Sequence, residues 1–152
     1  MRDDFLAIQR LMNDFVTQCK ALNQCMLDDQ SYFAGNDRVS LEKSDLKKST
    51  LQADLNMTIS QLINHPALTA PYSDLFVRLS YFAGTLNDTE QGVLLDVIQQ
   101  MRVEYASAIR LVAMNRQVVN TNLGYIKDFI SQVTETSPSM DSATYDHAGV
   151  LG

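Results

Sequence analysis

Tryptophan is absent from the 152-residue chain, and cysteine (two), histidine (two), proline (three) and glycine (six) are all scarce. Each shortage excludes something. An all-β domain punctuates its strands with Gly- and Pro-rich turns, and six glycines with three prolines are too few for that. A zinc centre needs clustered Cys and His. Here Cys19 and Cys25 fall in one segment, His65 precedes Pro66 in a break, and His147 lies close to the C-terminus. A di-iron bundle needs Glu-x-x-His pairs, and there are none. No Gly-rich phosphate loop is present. These readings predict no metal, no cofactor and no catalytic centre.

Base is scarce as well. Twelve Lys and Arg against eighteen Asp and Glu give a net charge of −6 and a pI near 4.7. Phosphate backbones are bound by a surplus of Lys and Arg, so nucleic acid is not the expected partner. An anionic membrane surface is disfavoured on the same ground. No apolar run approaches the roughly 18 residues of a membrane span, and the opening Met1-Arg2-Asp3-Asp4 carries no signal core. Six residues on one helix separate two side chains by about 240°, so Cys19 and Cys25 cannot bridge within it. They read as reduced thiols of a cytoplasmic protein.

What remains is helical periodicity. Phe5, Ile8, Met12, Phe15, Cys19, Leu22 and Met26 repeat at alternating intervals of three and four, which keeps one apolar seam facing a neighbour. Leu11, Val16 and Leu27 widen the stripe. A helix is predicted over 4–33, stopped by Gly35-Asn36-Asp37. A second runs from Asp37 or Ser40 to about Asn64. Its first half, around Glu42-Lys43-Ser44-Asp45-Leu46-Lys47-Lys48, reads as a solvated face, as do Asp28-Asp29 and Asp37. Its second half regains a stripe at Leu51, Leu55, Ile59, Leu62 and Ile63 before Pro66 closes it. Two long amphipathic helices joined by a short turn form an antiparallel hairpin.

After the break at 65–73, Ser73 as N-cap with Leu75, Leu79, Phe82 and Leu86 marks a short third helix. Asn87 with Glu90, or Asp88 with Gln91, marks another start. From there a helix is predicted over 89–133, with its seam at Leu94, Ile98, Met101, Tyr105, Ile109, Val112, Val119, Leu123, Ile126, Ile130 and Val133, and Arg116 in register. A second apolar row, Leu111, Met114, Val118, Tyr125 and Phe129, lies beside it. The combined band is wider than one neighbouring helix needs. It suits packing under the third helix, a second copy of the chain, or an amphipathic helix from a partner. Residues 134–152 hold six Ser or Thr and three acids with no base, the composition of a flexible tail. The expected architecture is an all-α antiparallel bundle of long helices over 1–133, a hairpin followed by a short and a long helix, with that tail appended.

This layout resembles the FlgN family, the cytoplasmic export chaperones of bacterial flagellar assembly. The likeness is carried by Met26-Leu27-Asp28-Asp29, Gly35-Asn36-Asp37 and Lys47-Lys48-Ser49-Thr50-Leu51 in the hairpin. Asn115-Arg116-Gln117-Val118-Val119 or Asn120-Thr121-Asn122-Leu123-Gly124-Tyr125-Ile126 matches the spaced asparagines of the family's later helix, and Tyr145-Asp146-His147-Ala148-Gly149 its tail element. The resemblance implies a carrier for flagellar hook–filament junction proteins. Such a carrier binds their C-terminal helical region and delivers them to the type III export apparatus. It also implies that substrate is held in the C-terminal half, which on this chain maps to Val118, Val119, Leu123, Ile126, Phe129, Ile130 and Tyr145. The alternatives are a self-associating structural coiled-coil bundle and a chaperone of another secretion system.

Overall fold

The computed structural model describes residues 2–69 and 74–118, with backbone alone for the last two. Four helices follow in order: α1 (Arg2–Ala34), α2 (Arg38–Ile63), α3 (Leu75–Ala83) and α4 (Asp88–Val118). No strand occurs among the described residues, and the protein is an all-α bundle. The predicted stretch 119–133 and tail 134–152 lie outside the described residues.

The ends of the helices follow from local chemistry. Asn36, at φ 52°, takes the left-handed conformation that lets the chain leave α1, and the amides of Gly35 and Asp37 return to carbonyls in its last turn. Asp37 then caps α2, its Oδ1 accepting from the Ser40 amide at 3.0 Å and its Oδ2 from the Ser40 hydroxyl at 2.7 Å. Those two bonds, side chain first, hold its carboxyl below the usual carboxylate range. The N-cap of α3 is Asp74, whose Oδ1 takes the amides of Phe76 and Val77; the expected cap, Ser73, lies outside the described residues. At the start of α4 the Asn87–Glu90 pair forms the reciprocal cap: Asn87 Oδ1 accepts from the Glu90 amide and its Nδ2 donates to the Glu90 carboxylate.

Central to the bundle is α1, which at about 50 Å is long enough to contact both other long helices. The whole predicted stripe from Phe5 to Met26 is buried. Along one side α2 runs antiparallel, with Thr58 donating to Gln18 and Lys48 reaching Asp29. Along the other α4 runs parallel, from the Arg2–Glu90 ion pair to Asn115, which donates to the Met26 carbonyl. Direct contact between α2 and α4 is slight. Because Thr58 is level with Gln18, α2 runs out near the middle of α1. There α3 takes over: Phe76 meets Phe15 edge-on at 6.5 Å and Tyr105 at 5.8 Å, with the Arg102 guanidinium 4.7 Å from the Phe76 ring centre.

Three readings of the sequence are corrected. The seam of α4 runs Leu94, Ile98, Met101, Tyr105, Ala108, Val112 and Asn115, a continuous alternation of four and three. Ile109 and Arg116 are therefore one step off it. Ile109 is exposed, and the position expected for Arg116 belongs to Asn115. Leu111, placed in an outer second row, is core, whereas Met114 of that row is exposed. The polar first half of α2 is not a simple solvated face either, because Ser44 and Lys48 are buried, as is Gln52 just beyond it. Asp29, expected to be solvated, is 0% exposed. The cause is geometric: 22-26-29 continues the spacing of the α1 seam, and 44-48-52-55-59-62 is one unbroken stripe of α2.

Candidate functional site

Of the residues expected to hold a partner, Val118 ends α4. Val119, Leu123, Ile126, Phe129, Ile130 and Tyr145 lie outside the described residues. The described residues supply the platform of α1 and α4 that precedes that stretch in the chain.

That platform is polar. Asn115, 6% exposed in the last turns of α4, donates to the Met26 carbonyl at 2.9 Å and accepts from the Gln30 amide at 3.1 Å. One turn of α4 back from Ala108, Asn23 donates to both the backbone carbonyl and the side chain of Glu104. A buried amide on an otherwise apolar seam fixes which turns of two helices face each other, since any slip leaves it without partners. These two asparagines set the register of α4 on α1. Their consequence is that α1, ending at Ala34, extends between one and two turns beyond the level of Asn115.

On the other flank, Lys48 Nζ donates to Asp29 Oδ2 and lies 3.2 Å from Asp45. Asp29 and Lys48 are both buried, so this pair sits in a low-dielectric seam. Beside it a cleft of about 170 Å³ opens between the last turns of α1 and the first turns of α2, reaching Cys25, Tyr32, Lys43, Ser44 and Lys47. A second, larger cleft of about 280 Å³ lies between α1 and α4, with Lys20 and Arg110 on its rims and Asn23, Glu104 and Leu111 in its walls.

Neither cysteine is poised for chemistry. Burial, reinforced by Glu104, pushes the Cys19 thiol up to about 12. Burial likewise raises Cys25 against the opposing pull of Lys47. The thiolate is the reactive species, so at pH 8 a thiol with a pKa of about 12 is ionised in roughly one molecule in 10⁴. A disulfide-exchange reagent at pH 8 is expected to leave both thiols of the folded protein unmodified over minutes and to titrate two per chain after denaturation. A rapid native-state burst at either would show that α1 opens there.

Among the described residues no three His, Cys, Asp or Glu side chains are grouped to hold a metal ion. No described helix is long and apolar enough to cross a membrane. The arrangement presents two polar-walled clefts and, on α4, the exposed apolar side chains of Leu95, Val103, Ile109 and Met114. No family model, curated protein or solved structure matches the chain.

Sequence reasoning missed Asn23, Asn115, Asp29, Ser44 and Lys48. The signal for the last four was spacing, since each falls on the three-four rhythm of its own helix. Asn23 alone lies beside its seam, and only the position of Glu104 on α4 makes it part of the contact.

Proposed function

We propose that the protein is a cytoplasmic carrier that holds the amphipathic C-terminal helix of an unassembled secreted subunit, of the flagellar hook–filament junction kind, and hands it to a type III export apparatus. The observation that carries this reading is the apolar sequence that continues beyond the contacts of Asn115 with α1. Asn115 is level with Met26 and Gln30, and α1 stops at Ala34. The sequence continues with Val118, Val119, Leu123, Ile126, Phe129 and Ile130. Their spacing in the sequence is that of one apolar helix face, the kind of surface an incoming amphipathic helix needs. A subunit exported before assembly must keep such a helix from associating early. The likeness to FlgN-type chaperones in layout, hairpin residues and tail supports the same assignment.

Phe129 is the sharpest probe. Calorimetric titration against a purified C-terminal fragment of a junction protein is expected to show binding by wild type. Phe129→Ala should lose about 2 kcal/mol or more, roughly thirtyfold in dissociation constant. Unchanged binding with a much lower melting temperature would make Phe129 a core residue and move the groove elsewhere. A wild-type chain with no measurable binding would end the assignment.

Self-association is the second reading, favoured by one observation. Val39, Leu46 and Met57 are well exposed on α2, with Leu46 at 74%. Sedimentation of the free chain across a concentration series separates the two, because a carrier gains mass only when the fragment is added.

A further inference from the structure

We propose that the cleft between the end of α1 and the start of α2 binds a compact oxyanion, a carboxylate or a phosphate group, through Lys43, Lys47, Ser44 and Tyr32. This does not depend on what the apolar row after α4 carries.

The cleft's chemistry is one-sided. Lys43 and Lys47, one turn apart on α2, both line it, and both are exposed. Neither forms a salt bridge with a described residue, unlike Lys48, the next residue in the chain, which is committed to Asp29 and Asp45. From α1, Tyr32 lines the opposite wall. At the base lies Ser44, 8% exposed, whose Oγ has no hydrogen-bond partner. A buried hydroxyl without a partner is unfavourable, and this one borders the cleft, where a ligand oxygen can take its proton. The Ser40 hydroxyl, also on the wall, is already donated to Asp37.

Against these donors stands one acid. Asp28 lines the cleft, and its Oδ1 accepts from the Gln24 side chain on the same helix at 2.9 Å. Two lysines against one aspartate leave a net positive lining. A cleft of about 170 Å³ admits a group the size of acetate or phosphate together with a few waters, but not a nucleotide. Charged donors converging with a buried hydroxyl on so small a space favour an oxygen-bearing anion over a halide, because only the former offers several acceptor directions at once.

The test is an amide-resolved NMR titration of the full chain with sodium acetate, sodium phosphate and sodium chloride at matched ionic strength. Saturable shifts at residues 25–32 and 40–47 with acetate alone assign a carboxylate site, with phosphate alone a phosphate site, and with both a general oxyanion site. The double variant Lys43→Gln, Lys47→Gln should weaken the response about tenfold or more. Both positions are solvent-facing, so helical content should be unchanged. The companion variant Lys20→Gln, Arg110→Gln, on the cleft between α1 and α4, should leave the response intact. Shifts that never saturate, that chloride reproduces, or that survive the double lysine variant overturn the proposal.

Discussion

Asp29→Ala is expected to destabilise the protein by about 3 kcal/mol, the signature of breaking a buried ion pair by removing one partner. The carboxylate is fully buried, its Oδ2 accepts from Lys48 Nζ, and Lys48 is itself only 6% exposed. Deleting Asp29 leaves the ammonium in the seam between α1 and α2 with Asp45, 3.2 Å away on an exposed side chain, as its remaining carboxylate. Water reaches such a position poorly, so the loss exceeds the 0–1 kcal/mol typical of surface pairs. The companion variant is decisive. Asp29→Leu combined with Lys48→Met replaces both charges with apolar groups of similar length and should recover most of the loss. Urea denaturation of the three proteins measures this, with slopes that stay constant if only the native state is affected. The difference should also persist at high salt, because ions screen buried pairs weakly. A cost for Asp29→Ala below about 1 kcal/mol, or one that vanishes in salt, would mean that the seam opens to water in solution.

The pair also explains why the helical architecture was legible in the sequence while its polar interior was not. The seam of α1 is apolar for seven successive positions, from Phe5 to Met26, and periodicity alone placed every one of them in the core. At its eighth position the same rhythm reaches Asp29. A carboxylate two residues from a polar segment end resembles a solvated one until its partner is known, and that partner is nineteen residues away on the next helix. Lys48 is camouflaged by its surroundings, since Lys43, Asp45 and Lys47 beside it are exposed. On α4 the difficulty was a choice of one residue. Ile109 is more apolar than Ala108, so a reading led by hydrophobicity steps onto Ile109 and then carries the error forward to Arg116. Packing chose the smaller residue, Ala108, at 0% exposure. The corrected rhythm reaches Asn115, and with it the contacts that fix how far along α1 the fourth helix sits. The clefts depend on where two helices diverge, and no single segment encodes that.

Phe15→Ala carries the largest expected loss in the apolar core, about 3–5 kcal/mol. Phe15 is fully buried at the level where α2 gives out and α3 replaces it, and its ring meets Phe76 of the short helix. Phe76 sits edge-on against it and in turn contacts Tyr105 and the Arg102 guanidinium, which makes one aromatic chain from α1 through α3 to α4. Removing the first ring opens a cavity that α3 cannot readily fill, because its nine residues are held at both ends by Asp74 and Gly84. With whole domains stable by only about 5–15 kcal/mol, the variant should be close to unfolding at physiological temperature. Its effect should also be directional. Amide hydrogen exchange is expected to accelerate first in α3 and the N-terminal half of α4, while the Asp29–Lys48 end of the hairpin keeps its protection. A double-mutant cycle with Phe76→Ala should show a coupling of about 0.5–1.5 kcal/mol, the value of an edge-to-face pair beyond simple burial. Additive losses would mean that the two rings stabilise the bundle independently. In that case α3 is anchored through Leu75, Leu79 and Phe82, its other buried side chains, and the aromatic chain is packing without linkage.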